Sequence, residues 1–182
     1  MSRLPLLDPE TAPAPVREVL AALPGLRIFR LLAHAETAFR PLVRLGAAIL
    51  TQQELDPRLR ELAILQAAKL TPGEYEWVQH VPLARSVGVS PEQIEALERG
   101  QLEAACFDAR ERLALRFGRD TLEGARVSGE LFAALRQHLS PREVVELVIT
   151  LGYYSMLARL TEVTRTEPDA PAGADLLGRS PG

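Results

Sequence analysis

Residues 56–70 constrain this chain more than any other segment. Asp56 followed by Pro57 reads as an N-cap with proline at the first helical position, and Thr71-Pro72-Gly73 stops the helix. Between these signals Leu59, Leu62, Ala63 and Leu70 mark one apolar face, while Ile64, Leu65 and Ala68 mark another. A helix apolar nearly all round belongs in the middle of a molecule, because no face of it is suited to water. A short turn after such a helix favours an antiparallel partner, and residues 73–87 supply one. The expectation is an all-α protein built around a central antiparallel hairpin, 56–87.

That hairpin carries ionisable groups where apolar ones are expected. On the second helix Glu76, Trp77, His80, Leu83, Ala84 and Val87 share one face, with Glu74, Gln79, Arg85 and Ser86 turned away from it. Glu61 sits among Ile64, Leu65 and Ala68 on the first helix. It lies about 10 residues before the turn and His80 about 8 after it, so at ~1.5 Å per residue the two stand within about 3 Å of the same level. Buried polar groups without partners are costly, so Glu61, Glu76 and His80 must satisfy or exploit one another. They form the candidate catalytic constellation, with His80 as principal acid/base, Trp77 as a pocket wall and Tyr153 as a further lining residue. Pro82 within the second helix is expected to kink it beside His80.

Each of these residues also has a purely architectural reading. Glu61 can pair with a basic side chain, His80 can cap a backbone carbonyl, and Glu76 at i, i+4 can simply orient the imidazole. Trp77 can be core packing, and Tyr153 and Tyr154 can be packing residues with a polar tip. A metal on Glu61, Glu76 and His80 is geometrically conceivable, but no second histidine stands nearby and no H-x-x-x-H occurs, so none is expected.

The rest of the chain reads as helices: 13–23, 26–34, 36–52 with Pro41 inside, 90–100, 108–122, 128–139 and 140–163. Ser90-Pro91-Glu92-Gln93 and Ser140-Pro141-Arg142-Glu143 are start signals of the capping-box kind. No strand-like alternation of useful length is present. One domain over 1–165 is expected, opening with a proline-bearing arm at 1–12 and followed at 166–182 by a disordered tail rich in Pro, Ala, Gly and Asp. The net charge of −3 gives no footprint for nucleic acid, and the apolar run 147–157 is too short to span a bilayer. The single cysteine, Cys106, fits a reducing, cytoplasmic setting.

The runs Arg60-Glu61-Leu62-Ala63-Ile64-Leu65 and Glu74-Tyr75-Glu76-Trp77-Val78-Gln79-His80-Val81-Pro82-Leu83-Ala84 resemble the carboxymuconolactone decarboxylase family, which includes the alkylhydroperoxidase D (AhpD)-like proteins. The segment 151–160 resembles the last long helix of its decarboxylase-like members. AhpD-like peroxidases use a glutamate, a C-x-x-C pair, and a histidine with three residues between it and the second cysteine. Glu61 and His80 match that glutamate and histidine, but Gly73 and Glu76 stand at the cysteine positions. Thiol peroxidase chemistry needs a thiolate and a thiol to regenerate it, so two-cysteine turnover is not expected. The resemblance implies cofactor-free acid/base chemistry, decarboxylation or a related proton transfer, on a small organic acid or lactone. It also implies a homo-oligomer (dimer, trimer or hexamer). The alternatives are a peroxidase relative by lineage alone, or a non-catalytic ligand-binding oligomer.

Overall fold

The computed structural model describes residues 2–173, and among these it contains nine α-helices and no strand. They are α1 (Ala14–Ala21), α2 (Arg27–Leu32), α3 (Glu36–Thr51), α4 (Pro57–Leu70), α5 (Glu74–Ser86), α6 (Pro91–Glu98), α7 (Ala109–Gly124), α8 (Gly129–Arg136) and α9 (Pro141–Thr164). The helix starts follow the sequence signals closely. Asp56 accepts from the backbone amides of Arg58 and Leu59, both at 3.0 Å. Ser90 with Gln93 and Ser140 with Glu143 form complete capping boxes, as does Asp108 with Glu111.

Helix α4 is the axis of the bundle. Every residue from Leu59 to Ala68 is buried, and α5, α6, α7 and α9 all pack against it. The core divides on either side of α4. One part joins α1, α2 and α3 to α9 and includes Ile64 and Ala67; the other gathers Leu62 and Leu65 with apolar residues of α6 and α7. The turn joining α4 to α5 is tied to α9 by a hydrogen bond between the hydroxyls of Thr71 and Ser155, 3.1 Å apart.

Helix α9 is long and apolar enough to cross a membrane by length and composition, yet 56% of that stretch is buried inside the bundle. Its buried side packs on α3, α4, α5 and α7. Its outer side leaves Val145, Val148, Ile149, Met156 and Val163 exposed.

The expected tail begins differently. Arg165, at φ 53°, ends α9 in the left-handed conformation, and the chain then runs back over α2 and α5. Asp169 accepts from the Arg27 amide (2.7 Å) and from the Tyr75 hydroxyl (2.6 Å). The Gln79 amide group donates to the carbonyls of Asp169 and Ala170, and its oxygen accepts from the Ala172 amide at 3.0 Å. Residues 166–173 therefore lie against the body despite their tail-like composition, because specific side chains of α2 and α5 take up their backbone groups. The remainder of that tail, 174–182, lies outside the described residues.

Candidate functional site

The α4–α5 hairpin brings Glu61 and His80 together. The His80 Nδ1 lies 2.9 Å from Glu61 Oε2, with both side chains buried. A carboxylate can only accept, so Nδ1 carries a proton and donates it, and Nε2 is the ring nitrogen left to face the cavity. The second carboxylate oxygen, Oε1, accepts from Arg60 Nε at 3.1 Å. Arg60 is itself only 5% exposed, so the Glu61 charge is balanced inside the protein by a guanidinium one residue away. The Tyr154 ring meets the imidazole edge to face, with centroids 4.6 Å apart, and Tyr153 stacks on Tyr154 in the same manner at 5.3 Å.

His80, Tyr153 and Tyr154 form one wall of a partly open cavity of about 70 Å³, with Glu61 and Arg60 behind them. The opposite wall is apolar and comes from α2 and α3, with Ile28, Phe29, Leu32 and Val43 among its residues. Glu76, Gln79, Tyr75 and Tyr153 complete the polar lining. Among the described residues, no lysine or arginine faces the cavity. Gly46 on α3 is required here, because a Cβ at that position would stand 2.6 Å from the Tyr153 hydroxyl. The phenol uses that space to donate to the Leu42 carbonyl at 3.0 Å.

Glu76 is the least satisfied group in the site. It is 3% exposed, and its Oε1 is buried with no hydrogen-bond partner. Burial pushes its pKa up to about 7, and the nearby His80 opposes that rise. Burial likewise holds the phenols of Tyr75, Tyr153 and Tyr154 above their ordinary range, so all three are neutral.

The geometry redraws part of the face assigned to α5. Trp77 does not line the cavity; it packs against the Leu62 and Leu65 side of the core, with Lys69 Nζ 5.1 Å from its ring centroid. One residue is about 100° of helix, so Glu76 and Trp77 point to opposite sides of α4. Gln79, read as turned away from the interior face, is 2% exposed, and Tyr75 is equally buried. Both face the cavity and the 166–173 segment at once. The neighbour relation of Arg60 to Glu61 was visible in sequence, whereas the covering of Tyr75 and Gln79 is long-range and left no local signal. Cys106, half-buried beside α6, does not line the cavity.

The two positions that hold cysteine in AhpD-like motifs are structurally distinct. Gly73 packs so tightly on α9 that a Cβ would lie 2.6 Å from that of Ala158. A cysteine there would have to displace α9. Glu76, by contrast, occupies the second position within the cavity wall.

Comparison with known proteins agrees with this architecture. Residues 36–120 match the carboxymuconolactone decarboxylase family, a segment that covers α3 to α6 and most of α7. An uncharacterized peroxidase-related protein from Ralstonia eutropha JMP134, described as an alkylhydroperoxidase AhpD core, shares the fold at a TM-score of 0.79 and 22% identity, with 100% of this chain and 98% of that chain covered. A putative antioxidant defence protein AhpD from Agrobacterium tumefaciens superposes at a TM-score of 0.68 and 22% identity, over 76% of this chain and 95% of that one. The debrominase Bmp8, solved as a cysteine-to-alanine variant with 2,3,4-tribromopyrrole, does so at 0.74 and 18% identity, over 97% and 98%. No curated protein matches the sequence. Residues 36–120 therefore match the carboxymuconolactone decarboxylase family, and the chain has an AhpD-like all-α fold without the C-x-x-C pair.

Proposed function

We propose that this protein performs cofactor-free proton transfer at a carbon next to a carbonyl, on a small lactone or organic acid. The observation that carries the reading is the buried Glu61–His80 hydrogen bond at the edge of an apolar cavity. Glu61 fixes the tautomer of His80 and stabilises the imidazolium, so Nε2 can take a proton from substrate carbon or return one to it. In a decarboxylation, the C–C bond to the leaving CO₂ breaks, its electron pair moves into the adjacent carbonyl, and the resulting enolate takes its proton from protonated His80. In an isomerisation, His80 removes one carbon-bound proton and delivers it to another carbon. Glu76, which lines the same cavity as His80, serves in this reading as proton donor to the developing enolate oxygen.

The thiol peroxidase reading has no support in the site, since Gly73 has no room for a side chain and Cys106 lies elsewhere. The test is a screen of small lactones, keto acids and unsaturated acids for turnover or for exchange of carbon-bound hydrogen with deuterium oxide. His80→Gln keeps a hydrogen-bonding side chain but cannot shuttle a proton at neutral pH, and is expected to lower any such rate by about a hundredfold or more. An unchanged rate would exclude His80 as the proton carrier.

The exposed apolar side of α9 fits the expected homo-oligomer, in which a second copy covers Val145, Val148, Ile149 and Met156. Light scattering at micromolar concentration is expected to give a multiple of the chain mass. A monomer would refute this assembly.

A further inference from the structure

The polar atoms facing the cavity are already committed, with few exceptions. The Tyr75 hydroxyl donates to Asp169 and accepts from the Ile28 amide. Both ends of the Gln79 amide hold the 166–173 segment. The Tyr153 hydroxyl is spent on Leu42, and His80 Nδ1 on Glu61. What remains to meet a ligand is the unpartnered carboxyl of Glu76, the free edge of His80 and the Tyr154 hydroxyl.

We infer that the cavity binds small uncharged carbonyl compounds and rejects carboxylates, with Glu76, in its protonated form, donating the hydrogen bond that anchors the ligand oxygen. This narrows the proton-transfer reading to its branch on uncharged lactones and ketones, against decarboxylation of a free acid, and rests on that reading for the fate of the ligand, but the binding claim stands on the cavity itself. An anion entering would lose its hydration to an apolar wall, with no lysine or arginine of the described residues facing it. It would also meet a carboxyl with no other partner. The Arg60 charge is no substitute, being spent on Glu61. An uncharged carbonyl instead supplies the acceptor that a protonated Glu76 lacks, and removes an unsatisfied buried polar group. Ketones, lactones and enol forms satisfy these conditions; substrates ionised at the reacting end do not.

The groups that set the protonation of Glu76 can be named for every neighbouring element. From α5 come Tyr75 and His80; from α9, Tyr153 and Tyr154; from α4, Glu61 and Arg60 acting through His80; and from the 166–173 segment, Asp169 acting through Tyr75. Helices α2 and α3 present no ionisable side chain to the cavity. With Glu76 titrating near pH 7, only about one molecule in thirty keeps the donor at pH 8.5, and apparent affinity falls in the same ratio.

The experiment is a titration of the full chain with 2-butanone and with propionate, which have the same number of heavy atoms and differ in charge. Binding is followed by amide shifts of Gly46 and Ala47, both in the cavity wall. Saturable 2-butanone binding is expected at pH 5.5, about thirtyfold weaker at pH 8.5, with propionate at least ~10-fold weaker than the ketone at pH 7, where propionate is almost wholly ionised. Glu76→Gln keeps an N–H donor at all pH values and is expected to bind 2-butanone without the pH dependence. Absent 2-butanone binding at pH 5.5, pH-independent binding by the wild-type protein, or propionate binding as tightly as the ketone would each overturn the inference. The wild-type arms decide the matter even if the variant does not fold. His80→Gln separates this claim from the catalytic one: it is expected to lower turnover by about a hundredfold or more, whereas the pH dependence of ketone binding, set by Glu76, is expected to persist.

Discussion

Glu61→Ala is expected to destabilise the fold by about 3–5 kcal/mol, the cost typical of removing one partner of a buried ion pair. Glu61 is 0% exposed and holds Arg60 at 3.1 Å and His80 at 2.9 Å. Removing it leaves a guanidinium inside the bundle with no countercharge, and frees the imidazole whose orientation the carboxylate fixes. An isolated buried carboxylate would behave in the opposite way, because neutralising it would relieve a desolvation penalty. Arg60 reverses that sign. Glu61→Gln is therefore expected to be destabilising as well, and adding Arg60→Met to it should recover much of the loss, since the orphaned charge is then gone. Denaturant midpoints at constant slope measure all three proteins. If Glu61→Ala cost less than about 1 kcal/mol, the buried triad would not be the structural element described here.

The periodic parts of the chain were legible because local chemistry dictates them. Asp56-Pro57, Ser90-Pro91 and Ser140-Pro141 mark helix starts through side-chain bonds to their own first turns, and the observed helices begin at those prolines. The meeting of Glu61 with His80 was legible too, since a short turn between antiparallel helices leaves little freedom in their relative level. Sequence reading failed where burial depends on distant chain. Tyr75 and Gln79 are covered by α2 and by residues 166–173, a stretch whose composition resembles a solvated tail. Trp77 has the size and position of a pocket wall, but α4 divides the core at this point and places it on the other side. Arg60 beside Glu61 had the spacing of an ordinary exposed pair. Its burial follows from α4 being enclosed by four other helices, which no local pattern records.

Glu76 sets the second large effect, and its sign depends on pH. Its folded pKa, about 7, lies above the ordinary 4.5, chiefly because burial disfavours the charged form. Below pH 4.5 the carboxyl is protonated whether the chain is folded or not, and ionisation of Glu76 costs the fold nothing. As pH rises from 4.5 to about 7 the unfolded chain releases this proton while the folded protein retains it, so stability falls steadily. Above pH 7 the full penalty is reached, about 3 kcal/mol at roughly 1.4 kcal/mol per pH unit. Glutamine has nearly the same shape and does not ionise. Glu76→Gln is therefore expected to match the wild-type protein near pH 4 and to exceed its stability by about 3 kcal/mol at pH 8.5. The difference between the two curves removes the contribution of every titrating group that does not interact with Glu76, because those groups titrate alike in both proteins. Urea denaturation at pH 4, 6 and 8.5 measures it. A variant less stable than wild type at pH 8.5 would mean that the ionised carboxylate has a partner in the fold, and the unpaired Glu76 on which the ligand reading rests would be gone.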